Sequence, residues 1–166
     1  MGLVVYGAKY SRIQNILKVK KLLIILLLLF PVHGAWGAYT TPTDATCKDG
    51  KQEYSEAQKY MPLESPDVAN KASEWLIKAY KKGCGDAAFD LATISELIFR
   101  DQKSKEDWYK RSAELDHPDG LIMHGVILAE KGDKAKGCKL IKEGGALGAN
   151  PPFGLSVDKV LAMSGC

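Results

Sequence analysis

The sequence predicts an all-α protein in which short helical hairpins stack in a row. Apolar residues recur at three-to-four spacing along most of the chain, and no stretch alternates between apolar and polar residues as a strand does. A third observation is an internal repeat with a period of 33 residues, which is typical of helical arrays. The fold class that we expect is therefore an α/α solenoid of about three hairpins, with a capping helix at each end.

Composition agrees with one globular domain. The chain has 166 residues, of which 26% are charged and 46% hydrophobic, and this excludes collagen-like, coiled-coil and bulk-disordered classes. A domain of this size can build its core without a metal ion, so no metal or cofactor is expected.

The first 37 residues resemble a secretory signal peptide in their pattern. Basic residues around Lys18 precede an uninterrupted apolar stretch, Leu22 to Phe30, which is too short to cross a bilayer as a helix. Small residues at Ala35 and Gly37 predict cleavage before Ala38, and a retained membrane anchor is the alternative. The basic segment before Lys18 is unusually long, so we expect translation to begin near 17 or 19.

The charge of the remaining chain excludes a polyanion-binding class. The chain has 23 basic and 20 acidic residues, and five of the basic residues fall within the first 37 positions, which leaves a net charge of −2 after them. Nucleic-acid binding needs a clustered positive field. We therefore expect no nucleic-acid partner.

The four cysteines agree with export. In an oxidising compartment, an even count predicts two disulfides among Cys47, Cys84, Cys138 and Cys166, with three pairings possible. If near neighbours pair, the bridges are Cys47 with Cys84 and Cys138 with Cys166, one at each end of the domain. No two cysteines have C-x-x-C spacing, so a redox or zinc motif is not expected.

The elements follow in order after the cleavage site. Residues 38–67 should form a leader and an N-terminal capping helix over 49–60, with Pro62 and Pro66 in the link. Residues 68–166 should form the array. In the first unit a stripe runs from Val68 to Ala79, glycines at 83 and 85 break the helix, and a second stripe runs from 87 to 98.

Small residues in this unit also meet the demands of close helix packing. Ala72, Ala79 and Gly83 stand where a bulky side chain would push a neighbouring helix away. The second unit repeats the pattern over 108–115 and 121–128, with His117 and Pro118 at its turn. A final helix over 156–163 should close the array.

Two copies of one motif carry a family resemblance. The first reads Ala72-x-x-Trp75-Leu76-x-Lys78-Ala79-x-x-x-Gly83-x-x-x-Ala87, and the second runs from Lys105 through Trp108, Tyr109, Arg111, Ser112 and Asp116 to Gly120. A third, eroded copy follows, with Gly137, Leu140, Ile141, Gly144, Gly148 and Pro152 in corresponding places. These residues resemble Sel1-like repeats, which are relatives of the tetratricopeptide repeat. The resemblance implies a scaffold for protein contacts, secreted or periplasmic, without catalysis.

The sequence departs from that family at particular positions. The loops between units are shortened, Gly120 stands where Ala is expected, and His124 replaces a core Leu. The shortened period leaves a tetratricopeptide assignment open.

Few residues suggest chemistry. His117 and His124, seven residues apart, could hold a metal together with Asp116 or Asp119. The favoured interpretation is that His117 is a turn residue before Pro118 and that His124 is a polar substitution near a repeat interface. Ser156-x-x-Lys159 has the nucleophile spacing of penicillin-recognising enzymes, without the accompanying motifs. The recurrence of Trp75 at Trp108 predicts core positions rather than a ligand box.

The outward faces of the first helix in each unit are the candidate binding surface. A projection of about 100° per residue places seven residues there: Glu74, Ile77, Lys81, Asp107, Lys110, Glu114 and Lys142. The function expected is a non-catalytic, periplasmic or secreted protein-binding module, an adaptor or inhibitor of a protein partner. The alternatives are an immunity protein against a toxin that acts in the periplasm, an envelope assembly factor, and a cell-wall or β-lactam hydrolase that uses Ser156 and Lys159.

Overall fold

The computed structural model describes residues 46–151 and 154–166, and these parts of the chain are helical. Seven helices follow one another: α1 (Lys51–Gln58), α2 (Pro66–Lys81), α3 (Gly85–Leu97), α4 (Gln102–Glu114), α5 (Pro118–Glu130), α6 (Lys134–Ala146) and α7 (Val157–Met163). All of them belong to one compact unit. The described residues contain no strand beyond an isolated bridge between Cys47 and Cys84. The predicted all-α class is confirmed; the signal peptide, the start at Ala38 and Pro152 lie outside the described residues.

The helices begin where polar side chains satisfy their first backbone amides. Ser65 Oγ accepts a hydrogen bond from the Val68 amide at 3.3 Å, and Asp101 Oδ1 accepts one from the Ser104 amide at 3.0 Å. Pro66 and Pro118 occupy the first turn of α2 and α5, where a missing amide hydrogen costs nothing. These local signals explain why most predicted boundaries agree with the observed ones within a few residues; α4 is an exception, because it begins at Gln102 and not at 108.

Gly83 ends α2 by its backbone conformation. Its φ is +89°, and a Cβ added there would meet no atom within 4 Å, so Gly83 provides the left-handed turn and not a close packing contact. This corrects its predicted packing role. The same prediction is confirmed for Ala72 and Ala79, which are fully buried.

The close helix approaches lie further along the chain. A Cβ on Gly137 of α6 would stand 2.8 Å from the backbone nitrogen of Ala129, and a Cβ on Gly125 of α5 would stand 2.7 Å from the carbonyl oxygen of Gly137. A Cβ on Gly120 of α5 would stand 2.8 Å from the Cβ of Ser112 on α4. Glycine therefore lets α5 pack closely against both α4 and α6.

Three core clusters lie along the row of helices, and each helix contacts the next. The first cluster joins α1, α2 and α3 through residues such as Tyr54, Leu76 and Ile94. The second and third are smaller and centre on Tyr109 and on Ile141. The core is thus divided among neighbouring helices instead of gathered at one centre.

The cysteines form two pairs at disulfide-bonding distance, Cys47 with Cys84 and Cys138 with Cys166. The first pair joins the segment before α1 to the start of α3. The second joins α6 to the chain's last residue. The near-neighbour pairing is the one that the structure contains. None of the described helices has the length and apolar character that a membrane span requires.

Candidate functional site

Helices α4 and α5 border an open groove with a volume of about 620 Å³. Lys103, Asp107 and Lys110 line it from α4, because residues three to four positions apart share one helix face. His124 and Ile127 line it from α5. Both charged and apolar side chains therefore line the groove.

The acidic side chains in the groove already have cationic partners. Glu106 Oε2 accepts a short hydrogen bond from Lys131 Nζ, and this contact holds the pKa of the Glu106 carboxyl below its usual range. Asp107 Oδ2 accepts a hydrogen bond from Arg111 Nε at 2.7 Å. Lys103, in contrast, makes no ion pair with any described residue.

His124 is one of the half-buried side chains of the groove. Its Nδ1 is buried and has no hydrogen-bond partner among the described residues. Burial lowers the pKa of His124, and the positive charges of Lys136 and Lys110 lower it further. The imidazole is therefore neutral at pH 7.

The predicted contact residues are spread over three helices. Asp107 and Lys110 line the groove, and Glu114 lies one turn beyond them and pairs with Lys110 at 3.6 Å. The others that are exposed lie on α2 and α6: Glu74, Lys81 and Lys142. Ile77 is half-buried and packs against the first core cluster, because the buried face of α2 is wide enough to include it. It is therefore less exposed than the projection predicts.

An aromatic contact joins α2 and α4, the helices that carry the two copies of the predicted motif. Tyr80 of α2 and Trp108 of α4 pack edge to face with ring centroids 5.2 Å apart, and the Arg111 guanidinium lies 4.9 Å from the Trp108 centroid. In the first repeat Lys78 lies over Trp75 at 3.9 Å. Both tryptophans pack against the first core cluster, as their recurrence predicted.

A buried polar network connects α1, α3 and the turn before α5, and sequence reasoning missed it. The Tyr54 hydroxyl donates to Asp90 Oδ2 at 2.7 Å, and His117 Nε2 lies 3.4 Å from Asp86 Oδ1. Burial raises the pKa of Asp90 to about 7, and the nearby charge of Asp86 acts in the same direction. The signal in the sequence is two aspartates four residues apart in the mostly apolar first half of α3.

Two of the predicted metal ligands, His117 and Asp119, make other contacts in the structure. His117 caps α5, because its Nδ1 accepts a hydrogen bond from the Gly120 amide at 3.1 Å, which confirms the turn interpretation. Asp119 Oδ1 accepts from the Asn150 amide at 2.7 Å, and burial raises the pKa of Asp119. Within the described ranges no group of three or more potential ligands comes together.

The Ser156 and Lys159 spacing has a structural explanation. Ser156 caps α7, and its Oγ accepts a hydrogen bond from the backbone amide of Lys159 at 3.3 Å. Both residues are exposed. A serine followed three residues later by the first free amide of a helix is what capping requires.

No protein-family model, curated protein or solved structure matches this chain. The site is therefore interpreted from its own geometry.

Proposed function

We propose that this chain is a non-catalytic protein-binding module of Sel1-like repeats, an adaptor or inhibitor of a protein partner outside the cytoplasm. The observation that carries the proposal is the groove between α4 and α5. Two of the predicted contact residues, Asp107 and Lys110, line it beside residues of α5 that the repeat pattern alone did not include.

The packing order supports an array of hairpins. Consecutive helices contact one another, and α2 and α4, which carry the two clear copies of the motif, touch through Tyr80 and Trp108. In this proposal α2 with α3 and α4 with α5 are the first two hairpins, and α6 begins the third. Helices α1 and α7 cap the two ends, because terminal units in such arrays need a closing element.

A position outside the cytoplasm is supported by the cysteines. Two pairs at bonding distance are stable in an oxidising compartment and rare in a reducing one. The predicted signal peptide over 1–37 gives the same location.

The experiment is affinity capture with the full chain, expressed with its own N-terminal segment and recovered in oxidised form. The bait is exposed to an extracytoplasmic extract, and bound proteins are identified by mass spectrometry. We expect one partner in stoichiometric amount, and a toxin-like partner would define the module as an immunity protein. A bait with intact helical circular dichroism that retains no protein contradicts the proposal.

A further inference from the structure

The α4–α5 groove carries positive charge that its own acidic residues do not balance. Glu106 and Asp107 are engaged by Lys131 and Arg111, whereas Lys103 has no ion-pair partner among the described residues. Lys110 Nζ lies 3.6 Å from Glu114, and both side chains are 57% exposed. An exposed pair of this kind is weak and is easily exchanged for a better partner.

Apolar side chains in the groove add a second requirement. Ile127 and Leu128 contribute apolar surface, and Ile127 is 7% exposed. A ligand that fits must therefore combine negative charge with an apolar group.

Spacing favours an extended peptide. Lys103 and Lys110 are seven residues apart on one face of α4, which corresponds to about 10 Å along the helix axis. Carboxylates two or four residues apart in an extended segment are separated by about 7 or 13 Å, a range that the long lysine stems can accommodate. A polyphosphate is disfavoured, because Glu106 and Asp107 lie in the same groove and would repel a ligand that is negative throughout.

We propose that this groove binds an extended acidic segment of a protein partner, with acidic side chains at Lys103 and Lys110 and an apolar side chain on Ile127. This inference rests on the proposed function and names the chemistry of the partner.

The test uses a fluorescein-labelled peptide of alternating Glu and Leu, with a Lys and Leu peptide of equal length as the charge-reversed probe. Fluorescence anisotropy is measured on the full oxidised chain. We expect the acidic probe to bind and the basic probe not to bind. The Lys103→Glu, Lys110→Glu double variant should weaken binding by about tenfold or more, since each lost contact becomes a repulsion.

The matched control carries the same charge change elsewhere. Lys48 and Lys159 are exposed, and neither lines the groove, so Lys48→Glu with Lys159→Glu should bind the acidic probe within about twofold of the unmodified chain. Equal weakening of both variants would show only a general charge effect and would overturn the inference. Displacement of the probe by inorganic polyphosphate as effectively as by unlabelled peptide would also overturn it.

A variant without charge reversal tests the two lysines. In the Lys103→Gln, Lys110→Gln variant both side chains lose their charge and keep a hydrogen-bonding end, so binding of the acidic probe should weaken while the circular dichroism stays native. Unchanged affinity of this variant for the acidic probe refutes the groove.

The capture experiment distinguishes failure of the groove as the binding site from failure of the proposed function. A partner that is retained by the unmodified chain and equally by the Lys103→Glu, Lys110→Glu variant leaves the proposed function standing and removes the groove as its site. If neither a partner nor the acidic probe binds, both proposals fail.

Discussion

The substitution Asp90→Asn should remove most of the pH dependence of stability between pH 5 and pH 8. Asp90 is 9% exposed and accepts a hydrogen bond from the Tyr54 hydroxyl at 2.7 Å. Burial raises the pKa of its carboxyl from the ordinary value of 3.8 to about 7, against the lowering effects of the Tyr54 hydrogen bond and of His117. Asparagine can accept the same hydrogen bond and carries no charge.

The direction of the pH effect on the free energy of unfolding depends on whether the folded or the unfolded state binds the Asp90 proton more tightly. Because the pKa of Asp90 is higher in the folded chain, protonation stabilises the fold, fully below the unfolded value of 3.8, and this stability is lost as pH rises through about 7. Linkage gives a fall of about 2 to 3 kcal/mol in the free energy of unfolding between pH 5 and pH 8. Asp119 has a raised pKa and contributes in the same direction.

The assay is urea unfolding of the oxidised chain, followed by circular dichroism at several pH values across this range. His124 opposes the trend, because its pKa is lowered in the folded state, and the contacts of Glu53 and Glu106 are lost only in stronger acid. The difference between the unmodified chain and Asp90→Asn isolates Asp90 from these groups. Asp67→Asn, an exposed aspartate in the first turn of α2, is the matched control. Identical pH slopes for the unmodified chain and Asp90→Asn would refute the reasoning.

Three further predictions concern the packing, the caps and the cysteines. Gly137→Ala should destabilise the fold by about 1 to 3 kcal/mol in urea unfolding, because the new Cβ would stand 2.5 Å from the Gly125 carbonyl oxygen. This clash should outweigh the higher helix propensity of alanine. An unchanged urea midpoint would contradict the prediction. Asp101→Ala should lower the urea midpoint through loss of the α4 cap. Loss of probe binding in the α4–α5 groove as well would contradict a purely local effect. Replacing Cys138 and Cys166 together by serine should cost about 3 kcal/mol, since the bridge closes a separation of 28 residues, and an unaltered melting curve under non-reducing conditions would argue against the bridge.

The elements with local signals could be predicted from the sequence. Helix α2 has a capping serine, a proline in its first turn and a glycine after its end, and α7 begins at a capping serine in the same way. The repeat frame also identified the cores of α2 to α5. These features are encoded within a few residues, so no knowledge of the packing is needed to find them.

The sites could be predicted only in part, because they depend on contacts between distant residues. Asp107 and Lys110 were found as an outward face of one helix, but the groove exists because α5 places His124 and Ile127 beside them. The partner of Asp90 is Tyr54, which lies 36 residues earlier in a helix outside the repeats. No helical or strand periodicity relates Tyr54 to Asp90. In the sequence, Asp90 is visible only as a charged residue between apolar neighbours.

The contacts that hold α1 in place explain why the buried carboxylate of Asp90 is tolerated. A helix of eight residues is too short to be stable in isolation, so its position depends on contacts with the rest of the chain. Three contacts fasten it to α2 and α3: the Cys47 and Cys84 pair, the ion pair of Glu53 with Lys82 at 2.6 Å, and the Tyr54 hydrogen bond to Asp90. The ion pair is partly exposed and contributes little, whereas the hydrogen bond is buried and strengthened by the charge of its acceptor. A buried carboxylate at 90 destabilises α3 when ionised, yet it provides a directed, buried hydrogen bond between α3 and α1.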